Sequence, residues 1–265
     1  MNSERVAVRD AFNLHASVYD ERFARSAAGQ AMRQAVWNAV DNVLPAGSCL
    51  MDLGCGTGED AIHFAQRGSS VFAVDIAPEM ISALNLKARS FGVSARVDAR
   101  VSDLDALGNF PGKLDAIFSN FGAINCVGDL RPLGTLALNT LRPGGHVILV
   151  SMGRLYPLET AAFLAKGDIR GACRRLRRAH LANVEGRQFP VWYHSPRRLQ
   201  RALGKEFSRI QLLGIRALLP VPGLEHLESR LPFRLLEGLD SVLTRSRFTA
   251  AFADHYLSIW QRRSA

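Results

Sequence analysis

The sequence predicts an α/β fold built on a doubly wound, largely parallel sheet. Three observations carry that expectation. Between residues 48 and 152, short Val/Ile/Leu/Phe runs alternate with segments of helical periodicity about 10–15 residues long. The runs are almost continuously apolar, as parallel strands covered on both faces must be. A glycine-spaced turn, Gly54-Cys55-Gly56-Thr57-Gly58, follows the first run, and ligands of such sheets lie beyond the carboxyl ends of the strands.

The elements follow in order. Residues 1–44 carry apolar residues at three- and four-residue spacing in VAVRDAFNLHASVYDERF and AAGQAMRQAVWNAVDNVL, and read as helices. Pro45-Ala-Gly47 ends that section. SCLMDL (48–53) is the first strand. EDAIHFAQRG (59–68) is a helix closing on Gly68. SVFAVDI (70–76) is the second strand, and PEMISALNLKARSFG (78–92) is a helix with proline in its first turn. ARVDARV (95–101) and LDAIFSN (114–120) are further strands. DLRPLGTLALNTL (129–141) is helical, although Pro132 and Gly134 weaken it, and HVILVSM (146–152) is a strand after an Arg-Pro-Gly-Gly turn. Residues 153–192 read as mostly helical and arginine-rich. SPRRLQRALGKEF (195–207) is a helix with Ser195 as N-cap and Pro196 behind it. A strand begins at 208, a proline-punctuated apolar stretch follows, and ADHYLSIWQRR (253–263) is the last strand.

Composition narrows the class. Of 265 residues, 48% are apolar and 22% charged, the balance of an ordinary globular chain. No apolar run reaches the length of a membrane span, and the opening MNSERVAVRDAF is too charged for a secretory apolar segment. The expected location is the cytoplasm. Cys49, Cys55, Cys126 and Cys173 form no CxxC pair, so reduced thiols are expected rather than a metal site or disulfides. The net charge is +9, and only four of the 33 basic residues are lysine, so the excess is arginine. RGACRRLRR (170–178) and RRLQR (197–201) hold eight arginines and no acid. They form either a solvated helix face or a surface for nucleic acid, anionic lipid or an acidic substrate.

The glycine spacing discriminates between ligands. A dinucleotide turn needs G-x-G-x-x-G, whereas here the third glycine comes one residue early and Glu59-Asp60 follows it. Two acids at that helix start favour a cationic ligand over a diphosphate. A phosphate-binding loop is excluded because no Gly-Lys-Ser/Thr follows. Asp75, at the end of the second strand, suits an acceptor for both hydroxyls of a ribose, or a helix cap. Asp103, after the third strand, repeats the pattern.

Taken together, MDLGCGTG, VFAVDIAPEM, RVSDL, LDAIFSNFGAIN and LRPGGHVILVS resemble the ordered motifs of class I S-adenosylmethionine-dependent methyltransferases of the UbiE/type-11 sort. The resemblance spans residues 48–152, and AFNLHASVYDERF upstream is similar to the family's helical N-terminal segment. It implies a Rossmann-like doubly wound sheet of seven strands with the last antiparallel, and helical N-terminal and cap insertions. The implied organisation is a helical lid (1–44), a cofactor-binding core (45–152), a helical cap (153–194) and the rest of the sheet (195–265) with an insertion at 218–250. S-adenosylmethionine is the implied cofactor. Gly54, Cys55 and Gly56 would pack on its amino-acid end, and Asp75 would hold its ribose. Ile76 and Met80 would flank the adenine. Asp103 would accept from the adenine amine, with Ser102 and Leu104 beside it. Asn120 would line the methionine moiety, and Tyr19 would close the pocket.

The acceptor is not fixed by these motifs. A sulfonium methyl is already activated, so the enzyme need mainly align an acceptor lone pair with it, and a general base is optional. His194 and His15 are the candidates for one; for each, a structural role is the alternative, and His255 reads as core. Tyr156, Phe163, Phe189, Trp192 and Phe233 lie in the segments that would cover the sheet edge, where they form either cap core or a pocket for a lipophilic or aromatic small molecule. Ser119-Asn-Phe-Gly122 lacks the paired prolines typical of enzymes that methylate base amines. RNA or an anionic lipid on the arginine-rich cap, and a non-catalytic cofactor-binding regulator, remain alternatives.

Overall fold

The computed structural model describes residues 3–103, 113–216 and 249–264. Helices α1 (Ser3–Tyr19) and α2 (Ala27–Val40) are joined by a π-helical turn, Asp20–Ala24. Then come β1 (Cys49–Leu53), α3 (Glu59–Gln66), β2 (Ser70–Asp75), α4 (Pro78–Ser90), β3 (Val97–Val101), β4 (Leu114–Ser119), α5 (Arg131–Thr140) and β5 (Leu141–Met152). After these lie α6 (Pro157–Ala165), α7 (Ile169–Ala172), β6 (His180–Val184), β7 (Arg187–Val191), α8 (Pro196–Leu203), β8 (Phe207–Ile215) and β9 (His255–Arg262).

Seven strands form one sheet in the order β3-β2-β1-β4-β5-β9-β8. The β1, β2, β3, β4 and β5 pairings are parallel, and β9 runs antiparallel to both of its neighbours. The expected doubly wound sheet with its last strand reversed is therefore what the chain forms. Leu50, Ala73, Phe118 and Ile148 pack under α2, α3 and α4 on one face. Met51, Val74, Ile117 and Leu149 pack under α5 and α8 on the other. Both faces are buried, which is why the central strands are mostly apolar along their length rather than at alternate positions only. The two residues that weakened α5 have reasons. Pro132 sits in the first turn, where no intrahelical N–H is needed. A Cβ on Gly134 would stand 2.0 Å from the Ala202 carbonyl oxygen, so this glycine lets α5 and α8 approach.

One expectation fails. Residues 153–192 are not mostly helical, and the cap is not a helical insertion throughout. After two short helices, β6 and β7 pair as an antiparallel hairpin. Its two-residue turn, Glu185-Gly186, has φ of +49° and +77°, the mirror-image turn whose twist matches that of paired strands. The arginine-rich composition conceals a Glu-Gly turn signal flanked by His-Leu-Ala-Asn-Val and Arg-Gln-Phe-Pro-Val. Most of the 218–250 insertion, with Phe233, lies outside the described residues. Among the described residues, no helix is long and apolar enough to cross a membrane.

The cap is fastened to the sheet by a buried ionic cluster. Arg175 Nε donates to Glu159 Oε2 at 2.7 Å, and its Nη2 donates to Asp254 Oδ1 at 2.6 Å. Its Nη1 donates to the carbonyls of Gly153 and Asp254. Arg174 also pairs with Glu159. His255, which reads as core, is buried beside Asp254, with Nδ1 at 2.7 Å from Oδ2. Burial alone would push the Asp254 carboxyl up, but His255 and Arg175 outweigh it and hold the group well below its ordinary value. Glu159 is likewise held down by Arg175 and Arg174 against burial. Depressed carboxyls stabilise the fold above their unfolded pKa values, about 4, and lose that contribution as pH falls through the folded ones. Arg175→Met leaves two buried carboxylates without their main partner and should cost about 3–5 kcal/mol at pH 7. In urea titrations this deficit should shrink below about pH 4, as those carboxyls protonate; a deficit constant with pH would remove the cluster as its source.

Candidate functional site

A cavity of about 280 Å³ lies beyond the carboxyl ends of the strands. Leu53 and Gly54 after β1, Asp75 at the end of β2, Ser102 after β3, Asn120 after β4 and Met152 at the end of β5 all border it. This is the switch point of the sheet, where the chain steps from β1 out to β2 and β3 and then returns from β3 to β4 on the other side of β1. The far wall comes from α1 and from the hairpin, through Val8, Phe12, Phe189 and Val191.

The three glycines of the turn serve three different ends. A Cβ on Gly54 would stand 2.3 Å from the Ala123 Cβ, so this residue admits the loop after β4. On Gly58 it would meet Leu84 at 2.0 Å, so this residue admits α4. On Gly56 it would meet nothing nearer than Tyr19 Cε1 at 4.0 Å, because that position faces the cavity. All three have positive φ, between +54° and +89°, which only glycine adopts freely. The turn is stitched to β2: the N–H groups of Gly54 and Cys55 both donate to the Val74 carbonyl, and Gly56 N–H donates to Asp75 Oδ2 at 3.0 Å.

Asp75 Oδ1 accepts from the Ala77 N–H at 2.9 Å, so one carboxylate fixes both the glycine turn and the start of α4 while bordering the cavity. Burial pushes its carboxyl up, and the N–H bonds oppose that shift. Tyr19, Gly54, Gly56, Asp75, Ile76, Met80, Ser102 and Asn120 all line the same space. Two expected residues do not. Cys55 turns its thiol into the core under α3 and α4. Asp103 is engaged by Arg5 of α1, whose Nε donates to Oδ2 at 2.8 Å, and the Arg5 guanidinium rather than the carboxylate borders the cavity. Leu104 lies outside the described residues.

Glu59 and Asp60 do not supply the charge that the sequence suggests for a cationic ligand, because neither side chain reaches the cavity. Asp60 is buried, takes Arg33 Nη1 and Asn120 Nδ2 on Oδ2, and takes Trp37 Nε1 on Oδ1. Glu59 pairs with Lys87. The acids are therefore neutralised by cations of α2 and α4 that are distant in sequence, and among the described residues the carboxylate that borders the cavity is Asp75. Asp52, under the same helices, is 1% exposed and its Oδ2 has no partner. Burial, then Asp60, push its carboxyl well up.

Neither histidine candidate borders the cavity. His194 is fully buried, with Nε2 against the Val127 and Ile124 carbonyls at 2.9 and 3.3 Å. Burial and Arg198 push it down to about 4, so at neutral pH it is an uncharged brace for the loop after β4. His15 pairs with Glu185 at the hairpin turn at 2.9 Å. Of the aromatic candidates in the described segments, Phe189 lines the cavity. Tyr156 and Phe163 instead sit under Arg175 and Arg174, and Trp192 packs on Gly128.

Two residues escaped sequence reasoning. Arg5 stands on one face of α1 with Val8, Phe12 and Tyr19, at helical spacing that marks the face toward the cavity. Phe121 has φ of +43°, an unusual backbone for a bulky residue. It is held by a 2.9 Å bond from its N–H to Asn120 Oδ1, by Phe23 edge-on at 5.0 Å, and by the Arg33 guanidinium 4.8 Å over its ring. Such strain persists where surrounding contacts over-determine it, commonly at functional sites.

A protein family described as "Methyltransferase domain" matches residues 50–145. The ubiquinone biosynthesis O-methyltransferase of Xanthomonas axonopodis pv. citri is 32% identical over 111 residues, 42% of this chain and 45% of that protein. The enzyme of the same name from Xylella fastidiosa is 30% identical over 109 residues, 41% of this chain and 43% of that one. The chain thus spans less than half the length of these curated relatives. Among solved structures, the [4+2]-cyclase SpnF superposes with a TM-score of 0.66 at 14% identity, covering 97% of this chain and 96% of that one. An S-adenosylmethionine-dependent methyltransferase from Mesorhizobium loti gives 0.56 at 19% identity, over 87% of this chain and 100% of that one. At such identities these likenesses establish the fold alone. Residues 50–145 thus match a methyltransferase domain, and the sheet order is that of the solved methyltransferase it superposes on.

Proposed function

We propose that this chain transfers a methyl group from S-adenosylmethionine to a small lipophilic or aromatic acceptor. The observation that carries the reading is one cavity with two unlike kinds of lining: bare backbone at Gly54 and Gly56 with Asp75, and apolar side chains, Val8, Phe12, Ile124, Val127, Phe189 and Val191 among them. The named activity of the curated relatives, O-methylation in ubiquinone biosynthesis, is compatible with such an apolar lining.

In this reading Gly54 and Gly56 admit the amino-acid end of the cofactor, and Asp75 accepts the ribose hydroxyls with the lone pairs left by its two N–H bonds. Ile76 and Met80 flank the adenine, and Asn120, locked by Asp60, borders the methionine end. Tyr19 closes the lid side. When bound, the cofactor supplies a methyl group on a cationic sulfur that departs as a neutral thioether. The apolar wall keeps water away and orients the acceptor in line with that bond, which is the main catalytic contribution required. Among the described residues bordering the cavity, the titratable side chains are Arg5, Tyr19, Asp75 and Cys126. Burial pushes Tyr19 and Cys126 up to about 12, so both stay protonated at neutral pH and neither is a base. The cavity therefore suits an acceptor whose own atom is already nucleophilic, such as an acidic phenol or an enolised carbon.

Two tests follow. Gly56→Ala adds a methyl group to the cavity without a protein clash and should cost about 1–2 kcal/mol of backbone strain while abolishing measurable cofactor binding by calorimetry. Gly58→Ala drives a Cβ into Leu84 and should instead lower stability by about 2–4 kcal/mol. Equal cofactor affinity in wild type and Gly56→Ala would move the cofactor out of this turn. For the reaction, the protein is incubated with metabolite extract, or separately with total RNA, and with methyl-labelled cofactor. Mass spectrometry should find the label in an apolar small molecule. Label confined to RNA, or cofactor binding with no transfer to any fraction, defeats the proposal.

A further inference from the structure

The arginines of the cap fall into two groups. Arg174 and Arg175 are consumed by Glu159 and Asp254. Arg154, Arg177, Arg178, Arg198 and Arg201 form no salt bridge among the described residues, although Arg198 helps to lower the exposed Asp129 carboxyl, and they converge on one concave cleft of about 390 Å³, with Tyr193 and Ser195 completing its wall. Two of the five are anchored by neutral acceptors: Arg198 Nη2 donates to the Gly128 carbonyl, and Arg154 Nη2 to the Leu176 carbonyl at 3.3 Å. These bonds aim the guanidinium groups without neutralising them. The cleft is not part of the cofactor cavity, and no residue borders both.

We propose that this cleft binds the phosphate or diphosphate group of a ligand. Guanidinium forks match phosphate oxygens two at a time and stay charged at any physiological pH. Five like charges in one concavity repel one another and focus a positive potential that an anion relieves. The recess is of ligand size and has Tyr193 in its wall, which favours a compact group over the extended phosphate track of a nucleic acid. Free organic phosphates and phospholipid headgroups share this chemistry. The inference does not depend on the methyl-transfer reading, because its readout is binding of an anion at a separate place.

The test uses inorganic pyrophosphate titrated into the intact protein by calorimetry at low and physiological salt. Saturable one-to-one binding that weakens as salt rises is expected. Arg177→Gln/Arg178→Gln and, separately, Arg201→Gln should weaken it at least tenfold and severalfold, while Arg170→Gln, outside the cleft, leaves it unchanged. Cofactor affinity and the unfolding midpoint, measured on the same variants, should match wild type. Competition by vesicles containing phosphatidylglycerol would assign the headgroup as the source; vesicles that fail to compete would assign a soluble phosphate. No pyrophosphate binding at millimolar concentration, binding indifferent to the cleft variants, or affinity for RNA that pyrophosphate does not displace would each overturn the proposal.

Discussion

The site depends on the stitching of the turn after β1 to the end of β2. Parallel pairing of Leu53 with Val74 brings the turn alongside, and the Val74 carbonyl then takes two successive N–H groups, those of Gly54 and Cys55. Asp75 takes the next, from Gly56, and turns its second oxygen to the start of α4. Three consecutive amides are thereby fixed before any ligand arrives. The residue in the middle of a ligand cradle is normally the one with most freedom to lose. Here glycine at positive φ supplies the shape and the carboxylate removes the freedom, so binding need not order the turn.

The same arrangement explains how much could be read from the chain. Alternating strand and helix periods gave the sheet, because both faces are covered and the strands are apolar throughout. The glycine turn and Asp75 were legible because local sequence sets local backbone: a Cβ is either tolerated there or not. Misreadings came where the partner is distant in sequence. Asp60 reads as negative charge favouring a cationic ligand at the helix start, whereas Arg33, 27 residues earlier, holds it. Asp103 reads as an adenine acceptor until Arg5, 98 residues earlier, occupies it. The hairpin was lost because arginine-rich composition outweighed a two-residue turn signal.

Buried charge joins hydrophobic contact in fastening α2, whose Met32, Val36 and Val40 enter the core. Arg33 lies between the Asp60 carboxylate and the Phe121 ring, so one side chain of α2 anchors the helix and steadies the loop after β4. Breaking such a pair leaves an uncompensated ion, which costs more than the pair contributes when intact. The lid is thus held in one register over the strand ends rather than being loosely stacked. The apolar face of α1 adds specificity of shape, with Val8 and Phe12 set against the hairpin.

In the proposed reading the donor lies against strand ends, whose positions the sheet dictates, while the acceptor lies against α1 and the hairpin, which the sheet does not position. The fold by itself carries neither role, since SpnF, a [4+2]-cyclase, shares it. The strap at 191–198 runs between the two recesses. Val191 borders the apolar cavity, while Tyr193, Ser195 and Arg198 border the arginine cleft. Paired bonds between Trp192 and Asn125, at 2.8 and 2.6 Å, and from His194 to Val127 clamp this strap onto the loop after β4. A displacement of that loop would therefore be felt in both recesses, because eight residues of backbone leave little slack between them.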